Sequence, residues 1–144
     1  MTCRGTARRA PARDKRGMKM AKKILVVDDE PDILEVIIFR LESKRYHVLK
    51  AGDGKEAMDI VRRDRPDLVL LDLRLPIIDG YEVCRLIKSD DELKDIKVIL
   101  LTASVTTSVT EKINELDADG CIIKPFIAED FLRKVEEMIG PAEE

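Results

Sequence analysis

The chain has 144 residues, enough for one domain with a real hydrophobic core. Its hydrophobic share of 44% suits a globular protein, and no apolar run approaches the ~18 residues that a membrane-spanning helix needs. The net charge of −3 hides an uneven spread, with seven Lys and Arg against Asp14 alone in residues 1–20, so the remainder is more acidic still and poorly suited to broad nucleic-acid binding. Three cysteines, Cys3, Cys84 and Cys121, form no CxxC pair and are odd in number, which argues against a disulfide framework or a zinc site. A reducing, cytoplasmic setting is therefore expected. The N-terminus has no apolar stretch of the secretory kind.

Residues 1–20 read as a disordered basic leader or start-site extension, with the domain at 21–140 and a short tail at 141–144. Ile24–Val27 is the first strand. Pro31 opens a helix carrying Ile33, Leu34, Ile37, Ile38 and Leu41 at helical spacing. Tyr46–Ala51 is the second strand. Asp53 and Glu56 form a capping-box pair ahead of Ala57, Ile60 and Val61, and Pro66 ends that helix. Leu68–Leu71 is a continuous apolar run, as in a strand buried on both faces. Asp79-Gly80 reads as a turn before a helix with Val83, Cys84 and Ile87. Val98–Leu101 is the fourth strand, and Ser108 with Glu111 reads as a capping box before Val109, Ile113 and Leu116. Cys121–Ile123 is a short fifth strand. Phe131, Leu132, Val135, Met138 and Ile139 line a last helix, ended by Gly140-Pro141. His47, the one histidine, is read as an ordinary strand residue.

Strand–helix units in series argue an α/β fold, a doubly wound parallel sheet of five strands with helices on both faces. Reactive residues then fall where such a sheet binds ligands, beyond the carboxyl ends of its strands. The first apolar run ends in Asp28 and Asp29, the third in Asp72, the fourth in Thr102 and the fifth in Lys124. All five are expected in one crevice. Three clustered carboxylates repel one another and call for a cation, and oxygen-only ligands in a small site suit Mg²⁺. One carboxylate remains able to attack phosphorus. Asp72, at the end of the most buried strand, is the candidate nucleophile. Asp29, and Asp28 through water, would hold the metal. Lys124 would neutralise phosphoryl oxygens, and Thr102 would donate a hydrogen bond to one.

The segments ILVVDDEPD, LVLLDLRLPIIDG, VILLTA and CIIKPF, in this order and at these separations, resemble the receiver domain of bacterial two-component response regulators. The resemblance covers residues 22 to 139 and is nearest in kind to the stand-alone, chemotaxis-type members. It implies the flavodoxin-like strand order 2-1-3-4-5. It also implies that Asp72 is the phospho-acceptor, with Asp28 and Asp29 the acidic pair and the Arg74 backbone carbonyl a further Mg²⁺ ligand. The Lys124–Pro125 bond is implied to be cis. A sensor histidine kinase or a histidine phosphotransfer protein is the implied donor, and a partner protein the target, with no nucleic acid and no membrane insertion. A monomer or weak dimer is expected, acting as a switch and not as an enzyme with substrate turnover.

The sequence departs from the family at Cys121, where receivers place Tyr or Phe three residues before the Lys. The usual Thr–aromatic relay lacks its ring here, and a redox role for Cys121 is the rival to simple packing. Ile127 stands where a helix-capping side chain is expected. Arg74 and Ser104, each two residues past a site residue, are candidates for tuning phosphoryl loss. An Asp-nucleophile phosphatase is a competing class, but Arg74 occupies the place where its acid/base Asp would stand. A receiver-like binding module without phosphorylation is another, opposed by the complete set of site residues.

Overall fold

The computed structural model describes residues 21–103, 106–125 and 127–142. The expected leader at 1–20, Ser104, and the last two residues of the tail lie outside the described residues. Strands and helices alternate: β1 (Lys23–Val27), α1 (Pro31–Ser43), β2 (His47–Ala51), α2 (Gly54–Asp64), β3 (Leu68–Asp72), α3 (Gly80–Ser89), β4 (Lys97–Thr102), α4 (Thr107–Glu115), β5 (Gly120–Ile123) and α5 (Ala128–Ile139). The strands form one parallel sheet in the order β2-β1-β3-β4-β5, as the resemblance implies.

The period-2 geometry of strands divides the apolar residues into two cores. Leu25, Val27, Val69, Leu71, Val98 and Leu100 pack with α2 and α3 on one face. Ile24, Val26, Leu68, Leu70, Ile99 and Leu101 pack with α1 and α5 on the other. All five residues of β3 are buried, which is why its sequence reads as an unbroken apolar run. Helix α1 fixes itself through Ile37 and Leu41, each worth about 1.5–3 kcal/mol when fully buried. Helix α4 contributes no fully buried residue.

The helix boundaries explain several local choices. Asp53 caps α2 by accepting from the Glu56 amide at 2.8 Å, while the Glu56 carboxylate accepts from Gly52 N at 2.9 Å, one residue before the position a standard capping box uses. The helix ends in left-handed Arg65, φ 48°, ahead of Pro66. Asp79-Gly80 is not a free turn: Asp79 is the N-cap of α3, accepting from Glu82 N, and Gly80 is its first helical residue. The cap of α4 also differs from expectation. It is Thr106, accepting from Val109 N at 3.2 Å, so Ser108 lies inside the helix. Ile127 precedes α5 without a side-chain cap, as expected.

The two ends of the described chain meet at the edge of the sheet where the strands begin. Lys22 N donates to Ala142 O at 3.2 Å, and Tyr46 Oη donates to Gly140 O at 2.6 Å. The Lys22 ammonium also donates to Ile139 O, and Ala142 is buried against the α1–α5 core.

Candidate functional site

The register of the sheet assembles the site. Val27 pairs with Leu71, Asp72 with Leu101, and Thr102 with Ile123, so the residues at or just past these strand ends stand side by side along one crest. Asp28 follows β1, Asp72 closes β3, Thr102 closes β4, and Lys124 follows β5. Asp28 is fully buried, and Asp72 and Thr102 nearly so. Asp29 is exposed.

Carboxylate oxygens of Asp28, Asp29 and Asp72 lie within 4.8 Å of one another. The Lys124 ammonium sits between two of these groups, 2.9 Å from Asp28 Oδ2 and 3.1 Å from Asp72 Oδ2. The remaining oxygens of that pair are used alike: Asp28 Oδ1 accepts from Glu30 N and Asp72 Oδ1 from Arg74 N, each at 3.0 Å and each two residues on. The two buried aspartates are therefore turn-forming carboxylates and charged site groups at once. Lys124 N donates to Thr102 O at 2.7 Å, which seats Thr102 beside the lysine. The Lys124–Pro125 peptide is cis. All five strand-end residues named from the sequence are gathered at this crest.

The electrostatics follow from burial and from the neighbours. Burial raises the Asp72 carboxyl above the usual carboxylate range and Asp28 adds repulsion, while the Arg74 amide and Lys124 pull it back. Burial alone would lower the Lys124 ammonium, but its hydrogen bonds to Asp28 and Asp72 outweigh that and raise it. A buried pair of carboxylates with one ammonium and a third acid at the mouth is short of positive charge. The donor set is all oxygen and opens to solvent beside Asp29, so it fits a hard divalent cation.

The loop after β3 is tightly built. Leu73 N donates to Leu101 O at 3.1 Å and Gly80 N to Leu73 O at 3.0 Å, closing its base. At its tip Ile78 N donates to Pro76 O at 2.8 Å around Ile77, whose φ is +71°, a left-handed γ-turn that β-branched residues avoid. The Arg74 side chain is exposed, so its tie to the site runs through its backbone.

The other residues singled out from the sequence are placed more plainly. Cys121 is half-buried in β5, and burial pushes its thiol up against the opposing pull of Lys134, which suits packing better than redox reactivity. His47 is exposed at the start of β2. The shared grip of Lys124 on both Asp28 and Asp72 was not foreseen. Strand-end position names these residues, but only the packed structure shows which carboxylates the lysine reaches.

Comparison with known proteins agrees with this geometry. The family model for the response regulator receiver domain matches residues 24–136. Over 120 residues the chain is 38% identical to the probable transcriptional regulator ycf27 of Porphyridium aerugineum, covering 82% of this chain and 48% of that protein. The chain thus spans about half the length of that curated relative. Among solved structures, the receiver domain of a Pseudomonas aeruginosa PAO1 sensor histidine kinase, with a magnesium ion coordinated in its active-site cleft, is 32% identical. Its TM-score is 0.77, over 83% of this chain and 98% of that one. The Vibrio cholerae chemotaxis protein CheY4 is 25% identical with a TM-score of 0.77, over 82% of this chain and 98% of that one.

Proposed function

Because this chain belongs to the response regulator receiver family, we propose that it is a phosphorylation switch in which Asp72 accepts a phosphoryl group from a phosphohistidine protein. The observation that carries this reading is the position of Asp72: a buried carboxylate at the crest of the sheet, shared with Lys124 and backed by Asp28. The switch unit in this reading is residues 21–140.

In the transfer step an Asp72 carboxylate oxygen forms the new bond to phosphorus as the P–N bond to the donor histidine breaks and the histidine leaves. Lys124 is 3.1 Å from that carboxylate beforehand, so a small movement lets it follow the negative charge onto the phosphoryl oxygens. Thr102, beside Lys124 on the next strand, is the hydroxyl donor to the phosphoryl group. Asp28, Asp29, Asp72 and the Arg74 carbonyl would hold Mg²⁺, which supplies positive charge against the acidic cluster and the incoming phosphoryl oxygens. The Pseudomonas relative, solved with magnesium in its cleft, supports that choice of ion. Asp28 is also held by Lys124, so it anchors the lysine as well as the metal.

Phosphorylation acts in this reading by shifting the population of two conformers, and a partner protein that distinguishes them is the output. With Cys121 in place of the ring, the response of Thr102 is carried without an aromatic side chain moving inward.

Intact mass after incubation with acetyl phosphate and Mg²⁺ tests the proposal. The wild type is expected to gain one labile phosphoryl group only when Mg²⁺ is present, and Asp72→Asn to gain none. An equal gain in both, or none in the wild type with either acetyl phosphate or a histidine kinase, overturns it.

A further inference from the structure

Gly54 lies outside the acidic pocket, at the first position of α2, yet its surroundings tie it to the loop that carries Arg74. Gly54 N donates to Pro76 O at 3.3 Å. A Cβ on Gly54 would lie 1.9 Å from Ile78 O and 2.7 Å from both Ile78 C and Ile78 Cβ. Those are backbone atoms and the root of a side chain, so they cannot swing aside. The helix start and the loop tip therefore touch through the one residue type that lets them.

The contact acts on a stiff strap. Its base is pinned beside the acceptor: Gly80 N bonds Leu73 O, Leu73 N bonds Leu101 O, and a Cβ on Gly80 would lie 2.2 Å from Asp72 O. Its tip is the γ-turn at Ile77. Between them, Pro76 has a ring-locked φ, and it is the Pro76 carbonyl that Gly54 grips. Only Leu75 separates Pro76 from Arg74, whose amide holds Asp72 Oδ1. A displaced tip has little slack to absorb before Arg74 moves.

We propose that Gly54 is a positioning residue for phosphoryl transfer: by letting α2 close onto the loop tip, it sets the Arg74 backbone against Asp72 and so shapes the Mg²⁺ site. The inference rests on the proposed role of that site. Gly52, two residues earlier, provides the internal control, because a Cβ there meets nothing within 4 Å.

The experiment compares Gly54→Ala with Gly52→Ala, using amide NMR of the magnesium-free protein, Mg²⁺ titration and circular dichroism. Gly52→Ala is expected to match the wild type. Gly54→Ala is expected to stay folded, to move the Leu73 and Arg74 amide resonances without metal, and to bind Mg²⁺ about tenfold or more weakly. A purely structural glycine would lower the melting temperature and leave the Arg74 amide and the Mg²⁺ affinity unchanged; that result in folded Gly54→Ala overturns the proposal. Should Gly54→Ala not fold, Ile78→Gly loosens the same tip while keeping Gly54, and an unmoved Arg74 amide with wild-type Mg²⁺ affinity in that variant is equally fatal, because it shows that the tip does not set the Arg74 backbone. If the wild type takes no phosphoryl group, the functional reading falls, and the Arg74 amide still decides the role of Gly54.

Discussion

Replacing Lys124 with methionine keeps the length of the side chain and removes its charge. The side chain of Lys124 is 15% exposed and those of its partners Asp28 and Asp72 are 0% and 9% exposed, so the substitution leaves two buried carboxylates facing each other without a cation. Breaking a buried pair from one side costs ~3–5 kcal/mol. The pocket opens to solvent beside Asp29, which places this case at the low end, about 3 kcal/mol. With a urea slope of about 2 kcal/mol/M, the midpoint falls by roughly 1.5 M. The assay is urea unfolding followed by circular dichroism in a chelator. Neutralising the stranded acids, with Asp28→Asn and Asp72→Asn added to Lys124→Met, is expected to restore most of the loss, because amides need no counter-charge. Excess Mg²⁺ is expected to restore part of it in the single variant. A single variant as stable as the wild type refutes the electrostatic argument, and so does a triple variant no better than the single.

Three further outcomes follow from the same structure. The Asp72 carboxyl, followed by carbon NMR without metal, is expected to titrate above its ordinary 3.8, to fall when Mg²⁺ is added and to rise further in Lys124→Met; its raised value means that this group favours folding below pH 3.8 and that the contribution is lost as pH rises through the folded-state pKa. Cys84, fully buried, has its thiol pushed up from 9.0 to about 11 by burial, so its contribution to stability is whole below pH 9 and drains away toward pH 11. That amounts to about 2–3 kcal/mol, and wild-type and Cys84→Ala stability curves that stay parallel between those pH values would contradict it. Ile77→Gly relieves a β-branched residue held at φ +71° with 74% of its surface exposed, and is expected to raise stability by about 1 kcal/mol after the entropy cost of glycine; an unchanged or lowered melting temperature would show that the turn is not strained.

Much of this molecule is legible in its sequence, and the physical reason is clear in each case. Leu68–Leu71 announces a strand buried on both faces because two cores must be filled from one run. The strand-end residues could be named because a parallel sheet brings its carboxyl ends to one edge, whatever the helices do. Helix starts were less secure. The run Thr106-Thr107-Ser108 offers three hydroxyls that can cap, and which one does so depends on where the loop delivers the chain. Asp79-Gly80 carries a turn signature, yet the glycine is there because a Cβ would strike Asp72 O. The contact of Gly54 with Ile78 and the double grip of Lys124 join residues far apart in sequence. No periodicity encodes them, since they arise only when separate elements dock.

The hydrogen bond between Lys22 and Ala142 nearly closes the segment from 22 to 142 into a ring. Its seam lies at the beginnings of the strands, and the carboxylates lie at their ends, on the opposite edge of the sheet. In a variant trimmed to residues 22–142, a linker of a few residues can therefore join Lys22 to Ala142 and new ends can be opened in an exposed stretch such as Asp91–Glu92, giving a circular permutant with its sheet order intact. Any polypeptide fused at the seam leaves from the edge away from Asp72. Under the proposed function, a phosphodonor protein approaching Asp72 thus meets the same open face whether or not the seam carries cargo.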